Sequence, residues 1–403
     1  MTSFRHAVGA LALSLTLSAA GALCVAEPSL ASATADNPLS KPVGGQQLAA
    51  PGVIVNLQPG VPAPPAMPCG SFVLADMDTG QILVAKAPHA PHLPASTLKT
   101  LTALTLIPLL NPNAKILVTA QDVNVDGTHL GILPGTSYSV TTLLKGMLMA
   151  SGNDAAYALA RGNHSIATTL KAMNATAKDL GASDTVATDP SGLDKAGQRS
   201  SAYDLALIGR AAMRLPDIRR FVSTKRATLP GGRSVDGTMK PGFTISNHNL
   251  LLHNYPGTIG IKNGYTIAAR FTYIEAATRG GKTYLVSEMA GSQAGWRPTA
   301  ALLSWAFAHG SAVTPIGELV EPYEAAASKP MVAPAGKPAA PAPAAAPATS
   351  LPIESAGAPE LAAWVGAALA IGALTLAGAW ARRRSSRRAP LAGSAPAEAG
   401  DQT

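Results

Sequence analysis

Ser71-Phe72-Val73-Leu74-Ala75-Asp76-Met77-Asp78-Thr79-Gly80-Gln81-Ile82-Leu83-Val84-Ala85 is the stretch on which the fold reading turns. Two apolar runs of strand length flank Asp78-Thr79-Gly80, which predicts a β-hairpin. Downstream, Thr97 to Leu110 is apolar-rich and stopped by Asn111-Pro112, which predicts a helix. Thr141 to Ala150 and Asp154 to Ala160 read as helices separated by Ser151-Gly152-Asn153, and Ser201 to Met213 reads as another. Three strand-like runs follow between Thr258 and Ala290, turned at Gly280-Gly281, and Gly295 to His309 reads as a closing helix. A hairpin, then helices, then strands and a last helix predict an α/β fold of the α+β type. Its antiparallel sheet is flanked by helices, with an inserted helical region.

Working outward, composition sets the boundaries. Residues 36–68 are rich in Pro, Gly and Ala and read as a linker, which leaves 69–315 as one folded block. A second Pro/Ala-rich linker is expected over 316–360. At the N-terminus, Arg5 and His6 precede an apolar stretch, and Ala31-Ser32-Ala33 offers a small-residue cleavage pattern. That combination predicts a secretory signal peptide over 1–35. Leu361 to Trp380 carries no charge, with Trp364 and Trp380 near its ends. As a helix it would be roughly 30 Å long, the thickness of a bilayer core. A transmembrane helix is therefore expected over 361–381. Arg382, Arg383, Arg384, Arg387 and Arg388 follow at once, in a basic tail over 382–403. Positive charge beside a span marks the cytoplasmic side, so the folded block is expected outside a cell membrane, with a C-terminal anchor.

The chain has 403 residues, is 47% apolar and carries a formal net charge of +8. No basic stripe with interleaved aromatics occurs, which argues against a nucleic-acid partner. Of the two cysteines, Cys24 is expected to leave with the signal peptide and Cys69 to remain alone, so no intramolecular disulfide is expected. The eight histidines show no ligand-like pairing, and neither a metal nor another cofactor is expected. There is no Gly-x-Ser-x-Gly, no His-Glu-x-x-His and no phosphate-binding Gly-rich Lys loop.

Three short patterns carry chemistry. Ser96-Thr97-Leu98-Lys99 is the only Ser-x-x-Lys in the chain. On a helix its serine and lysine share a face, and a lysine kept neutral by burial or by another cation can take the hydroxyl proton. By itself the pattern reads first as an ordinary capping serine followed by a surface lysine. Ser151-Gly152-Asn153 offers a hydroxyl for proton relay and an amide for a peptide group, and it is also common turn chemistry. Lys262-Asn263-Gly264 lies in the strand-like run Gly260 to Thr266. An edge strand there can pair with an extended peptide. Its lysine supplies positive charge for a carboxylate, and its glycine permits close approach.

Together and in this order, the three resemble the active-site set of the penicillin-recognising serine enzymes, in the form used by D-alanyl-D-alanine carboxypeptidases (peptidase family S11). The resemblance covers about 70 to 310. Asp189-Pro190-Ser191-Gly192-Leu193-Asp194, Ser200 to Ala206 and Asn247-His248-Asn249-Leu250-Leu251 look like this family's flanking segments. It implies a β-lactamase/transpeptidase-like fold, a peptidoglycan stem peptide as substrate and β-lactams as covalent inhibitors. It also implies Ser96 as nucleophile, Lys99 as general base and Ser151 as proton relay to the departing D-alanine. Asn153 would hold the substrate backbone, Lys262 would fix the terminal carboxylate and polarise Ser151, and the backbone N–H groups of Ser96 and Tyr265 would form the oxyanion hole. The family usually has Thr or Ser where Asn263 stands. Arg270 falls where the family often has a small residue.

A class A β-lactamase adds a deacylating glutamate after the second pattern, but no glutamate occurs between Glu27 and Glu275. A D,D-endopeptidase shares every residue named. A catalytically weak wall-binding protein is the alternative of a different class, with Asn263 as its mark.

Overall fold

A computed structural model describes residues 42–292 and 295–322. In chain order the first strands are β1 (Val53–Leu57), β2 (Ser71–Asp76) and β3 (Gln81–Lys86). A short 3₁₀ turn, Ala95–Leu98, leads into helix α1 (Lys99–Leu106). Next come β4 (Lys115–Leu117), α2 (Ala120–Val123), β5 (Ser137–Ser139), α3 (Val140–Met149), α4 (Asn153–Gly162) and α5 (Ile166–Asp179). After them lie α6 (Ala202–Ala212), α7 (Pro216–Val222), β6 (Arg226–Leu229), β7 (Gly232–Arg233), β8 (Met239–Lys240), β9 (Phe243–Ser246) and α8 (Leu250–Asn254). The chain then forms β10 (Thr258–Thr266), β11 (Arg270–Arg279), β12 (Lys282–Gly291), α9 (Arg297–His309), β13 (Val313–Thr314) and β14 (Gly317–Glu318).

The main sheet is antiparallel, in the order β10-β11-β12-β2-β3-β1-β13, with β14 also pairing β3. Strand side chains alternate between faces. Val73 and Ala75 accordingly join the larger core, which contains residues of α1, α3, α4 and α6. Phe72 and Leu74 join the second, with Leu302, Leu303 and Ala306 of α9. Helices therefore cover both faces of the sheet, and α2 to α7 form the inserted helical region between β3 and β10. β10 lies at one edge of the main sheet, the side on which a peptide can add a strand.

The expected linker boundaries fall inside the folded unit. Val53–Leu57, expected in the linker 36–68, pairs with β3, and the Trp305 indole donates to Pro62 O at 2.9 Å. At the other end, Gly317–Glu318 pairs with β3 although 316 was expected to open the second linker. Pro and Gly content misleads here because five residues, Val53-Ile54-Val55-Asn56-Leu57, are enough for a strand when a sheet edge waits for them. The helix expected over 97–110 is shorter, because a 3₁₀ turn precedes it and α1 ends at Leu106. Helices α5 and α7 have no counterpart in the sequence reading. The expected signal peptide, transmembrane helix and basic tail lie outside the described residues. Among the described residues, no helix is long and apolar enough to cross a membrane.

Candidate active site

Ser96 sits in the 3₁₀ turn that Pro94 introduces, one residue after Ala95, whose φ is +48°. A left-handed non-glycine costs about 1–3 kcal/mol and persists only where its surroundings hold it. Two contacts hold this one. Thr272 Oγ1 of β11 donates to Pro94 O at 2.9 Å, and Gly192 packs so tightly on the Ala95 carbonyl that a Cβ there would lie 1.9 Å from it. Ser151 is likewise left-handed, with φ +59°, in the turn between α3 and α4.

Lys99 begins α1 and is wholly buried. Its Nζ donates to Ser96 Oγ at 2.9 Å, to Asn153 Oδ1 at 2.6 Å and to the Ser191 carbonyl at 2.7 Å. Burial pushes its ammonium well below the ordinary lysine value, and the charge of Lys262 pushes the same way, against the pull of Asp189 and Asp154. The amine is thus drawn toward the neutral form while it touches the serine hydroxyl. Such an amine can accept that proton.

The Asn153 amide also donates to Asp126 O at 2.6 Å, so it ties Lys99 to the loop between α2 and β5. Lys262, in β10, is buried, and its Nζ donates to the Asn263 carbonyl at 2.7 Å rather than to Ser151. Burial pushes Lys262 down to about 7, with Glu275 opposing. Gly264 is where β10 meets the nucleophile. A Cβ there would lie 2.7 Å from Ser96 N and 2.5 Å from Thr272 Oγ1. Tyr265 follows, with its exposed ring against Phe271 at 4.5 Å. Asn263 stands half-buried opposite Tyr273. Arg270 is exposed at the β10–β11 turn, with φ +60°. His248, exposed at the rim, donates its backbone N–H to Met149 O. A groove of about 280 Å³ opens beside the 150–151 turn, lined in part by His129, Leu130, Ala150, Ile245 and His248.

Several supporting groups have no motif of their own. The Asp189 carboxyl accepts from Ser191 N and Oγ, Gly192 N and Leu193 N on one oxygen and from Tyr157 on the other. It shapes the loop whose Ser191 carbonyl receives Lys99. Asp154 accepts from the N–H groups of Leu130, Gly131 and Ile132, fixing the loop that walls the groove. For Asp154 the available signal was its place in the first turn of α4, where acids favour the helix dipole. Asp189 gave none beyond its flanking segment. Among the described residues, no cluster of three or more His, Cys, Asp or Glu side chains is arranged to hold a metal ion.

Comparison with known proteins places this arrangement. The peptidase S11 model, D-alanyl-D-alanine carboxypeptidase, matches residues 59–291. A D-alanyl-D-alanine carboxypeptidase of Mycobacterium tuberculosis is 36% identical over 261 residues, covering 63% of this chain and 87% of that protein. A crystal structure of a D-alanyl-D-alanine carboxypeptidase from M. tuberculosis superposes with a TM-score of 0.61 at 37% identity, covering 66% of this chain and 100% of that one. A DD-transpeptidase of Streptomyces superposes with a TM-score of 0.58 at 28% identity, covering 61% of this chain and 100% of that one.

Proposed function

The chain belongs to the D-alanyl-D-alanine carboxypeptidase family of serine peptidases, and from that premise we propose how its residues divide the work. The enzyme removes the terminal D-alanine from peptidoglycan stem pentapeptides through an acyl-enzyme on Ser96. One observation carries the assignment: a fully buried lysine, drawn toward its neutral form, lies 2.9 Å from the Ser96 hydroxyl.

Ser96 Oγ attacks the carbonyl carbon of the penultimate D-alanine while its proton passes to Lys99 Nζ. The oxyanion forms against the backbone N–H groups of Ser96 and Tyr265, which the close passage of Gly264 brings together. Lys262 supplies positive charge for the terminal carboxylate. The C–N bond then breaks, Ser151 relays a proton to the departing amine, and D-alanine leaves. Water completes the cycle by cleaving the ester. β-Lactams acylate the same serine.

The test is mass spectrometry of the folded domain with a D-Ala-D-Ala pentapeptide. Loss of one alanine is expected, and an unchanged peptide would favour the wall-binding alternative. A second reading, D,D-endopeptidase, uses the same Ser96, Lys99 and Ser151 on a cross-linked peptide. Release of a monomer from a purified cross-linked dimer tests it. We also infer export and a C-terminal anchor over 361–381, from the uncharged run ending in an arginine cluster. Membrane fractionation with and without residues 361–403 tests that inference.

A further inference from the structure

The groove beside Ser151 has one wall that the reaction above does not use. Phe243, Thr244, Ile245 and Ser246, the whole of β9, line it. Successive strand residues face opposite sides, so four consecutive lining residues mean that the groove follows an edge of the strand. β6 occupies the other edge. Just past β9, Asn247 N–H donates to Lys225 O at 2.8 Å. Hydrogen-bonded positions alternate in an antiparallel pair, so Ile245 and Phe243 turn their backbone groups toward β6. Thr244 and Ser246 turn theirs away from it, into the groove. Among the described residues, nothing outside the β6–β9 pair hydrogen-bonds Thr244 or Ser246. The groove also adjoins the groups that meet the leaving end of the substrate. Ala150, which lines it, precedes Ser151. His248, which lines it too, donates its backbone N–H to Met149 O at 2.8 Å. Burial pushes the His248 imidazole below its ordinary value, and the charge of Lys262 adds to that.

Charge lies on the same ribbon. On its exposed face Arg226 stands directly opposite Ser246, and Thr228 opposite Thr244. These are the non-hydrogen-bonded positions, where facing side chains come closest. Arg226 makes no ion pair among the described residues. Asp236 is the one acid in the sequence between Asp217 and Glu275, and its carboxyl is taken up by Ser234 and Thr238 of its own turn. The ribbon therefore offers a free backbone edge, two hydroxyls and an unanswered guanidinium. That is the chemistry which receives an extended peptide bearing a carboxylate.

We infer that β9 and Arg226 form a second peptide subsite, on the leaving-group side of Ser96, for the departing chain of a cross-linked pair of stem peptides. In such a substrate the departing amine belongs to a second peptide, which carries its own terminal carboxylate, instead of to free D-alanine. Ser96 Oγ bonds to the D-alanine carbonyl carbon, the C–N bond to the second peptide breaks, and the serine proton travels through Lys99 and Ser151 to the amine. Water then cleaves the ester and frees the first peptide. β9 holds the second peptide through both backbone and charge while its amine leaves past Ser151.

The subsite rests on the Ser96 acyl-enzyme proposed above, and a comparison of two substrates tests it separately. The full-length protein is given a D-Ala-D-Ala pentapeptide and a purified cross-linked dimer, and the ratio of their kcat/KM values is read. Arg226→Gln should raise KM for the dimer and lower the dimer-to-pentapeptide ratio about fivefold, the scale of an exposed ion pair. Arg226→Lys keeps the charge and should restore most of the ratio. High salt should erase the difference between the arginine and glutamine forms. Thr244→Pro removes one groove-facing N–H at an edge position that tolerates proline, and it should lower the same ratio. If the proline variant does not fold, the exposed Arg226 still carries the test. A packing defect slows both substrates alike, so a ratio that Arg226→Gln leaves unchanged overturns the subsite. Turnover of the pentapeptide but not the dimer by the unaltered enzyme overturns it too. An unaltered enzyme that turns over neither and takes no penicillin instead overturns the Ser96 acyl-enzyme.

Discussion

Gly264 shows how one residue without a side chain governs the site. Its missing Cβ lets β10 pass within reach of Ser96 N, where an added methyl would meet backbone and the Thr272 hydroxyl at 2.5–2.7 Å. Gly264→Ala should push the strand away from the nucleophile. The loss of one aligned oxyanion donor is worth about 10²–10³ in rate, so acylation by a fluorescent penicillin should slow about a hundredfold. Stopped-flow labelling measures it, and an unchanged rate would show that β10 takes no part in the oxyanion hole. At the nucleophile itself, Ser96→Ala should abolish labelling, read on a gel; a labelled mutant would remove Ser96 from its role. These residues were legible as short patterns, because a hydroxyl and an amine one helical turn apart form a recognisable pair. What the patterns left open was whether Lys99 faces solvent or the interior. Only the packing of Ser191, Asn153 and Lys262 around it answers that.

At the scale of elements, the loop from Asp189 to Leu193 deserves the same weight as the motifs. One carboxyl gathers three backbone N–H groups and two hydroxyls, and the resulting turn presents the Ser191 carbonyl to Lys99 and Gly192 to Ala95. Each buried donor left without an acceptor costs about 1–3 kcal/mol. Asp189→Ala should therefore lower the melting temperature by several degrees and slow acylation by more than tenfold. Calorimetry and penicillin labelling check the two effects, and a stable variant with full activity would contradict the account. The hairpin, the helices around Ser151 and the three closing strands were readable, because each repeats an apolar period over enough residues. β1, α5 and α7 were not. β1 is five residues in a Pro/Gly-rich setting, and Ile166–Asp179 mixes Thr, Asn and Lys with its apolar residues, so partner surfaces decide both.

For the molecule as a whole, the described ends of the chain meet far from the motifs in sequence. Gly44 O accepts from Glu318 N at 2.8 Å, and Tyr203 OH donates to Glu318 O at 2.9 Å. Beside this junction lies Asp204, whose Oδ2 accepts from Thr185 while Oδ1 has no partner. Burial raises its pKa from the ordinary 3.8 to about 7. Between those values the folded chain holds a proton that the unfolded chain has lost, so this residue's contribution to stability falls as pH rises. Asp204→Asn should remove that dependence. Relative to the unaltered protein, its melting temperature should climb as pH goes from about 4 to 7, and a difference independent of pH would refute the assignment.

The sequence by itself determined the fold class, the family and the three patterns, because periodicity, turn residues and Ser-x-x-Lys spacing are local and survive without knowledge of neighbours. Tertiary structure alone decided how those patterns are charged and supported. Burial, the proximity of Lys99 to Lys262, and a carboxyl such as Asp189 bring together groups tens to hundreds of residues apart in the chain. Electrostatic coupling depends on distance and on exclusion of water, and neither is written in the order of the residues.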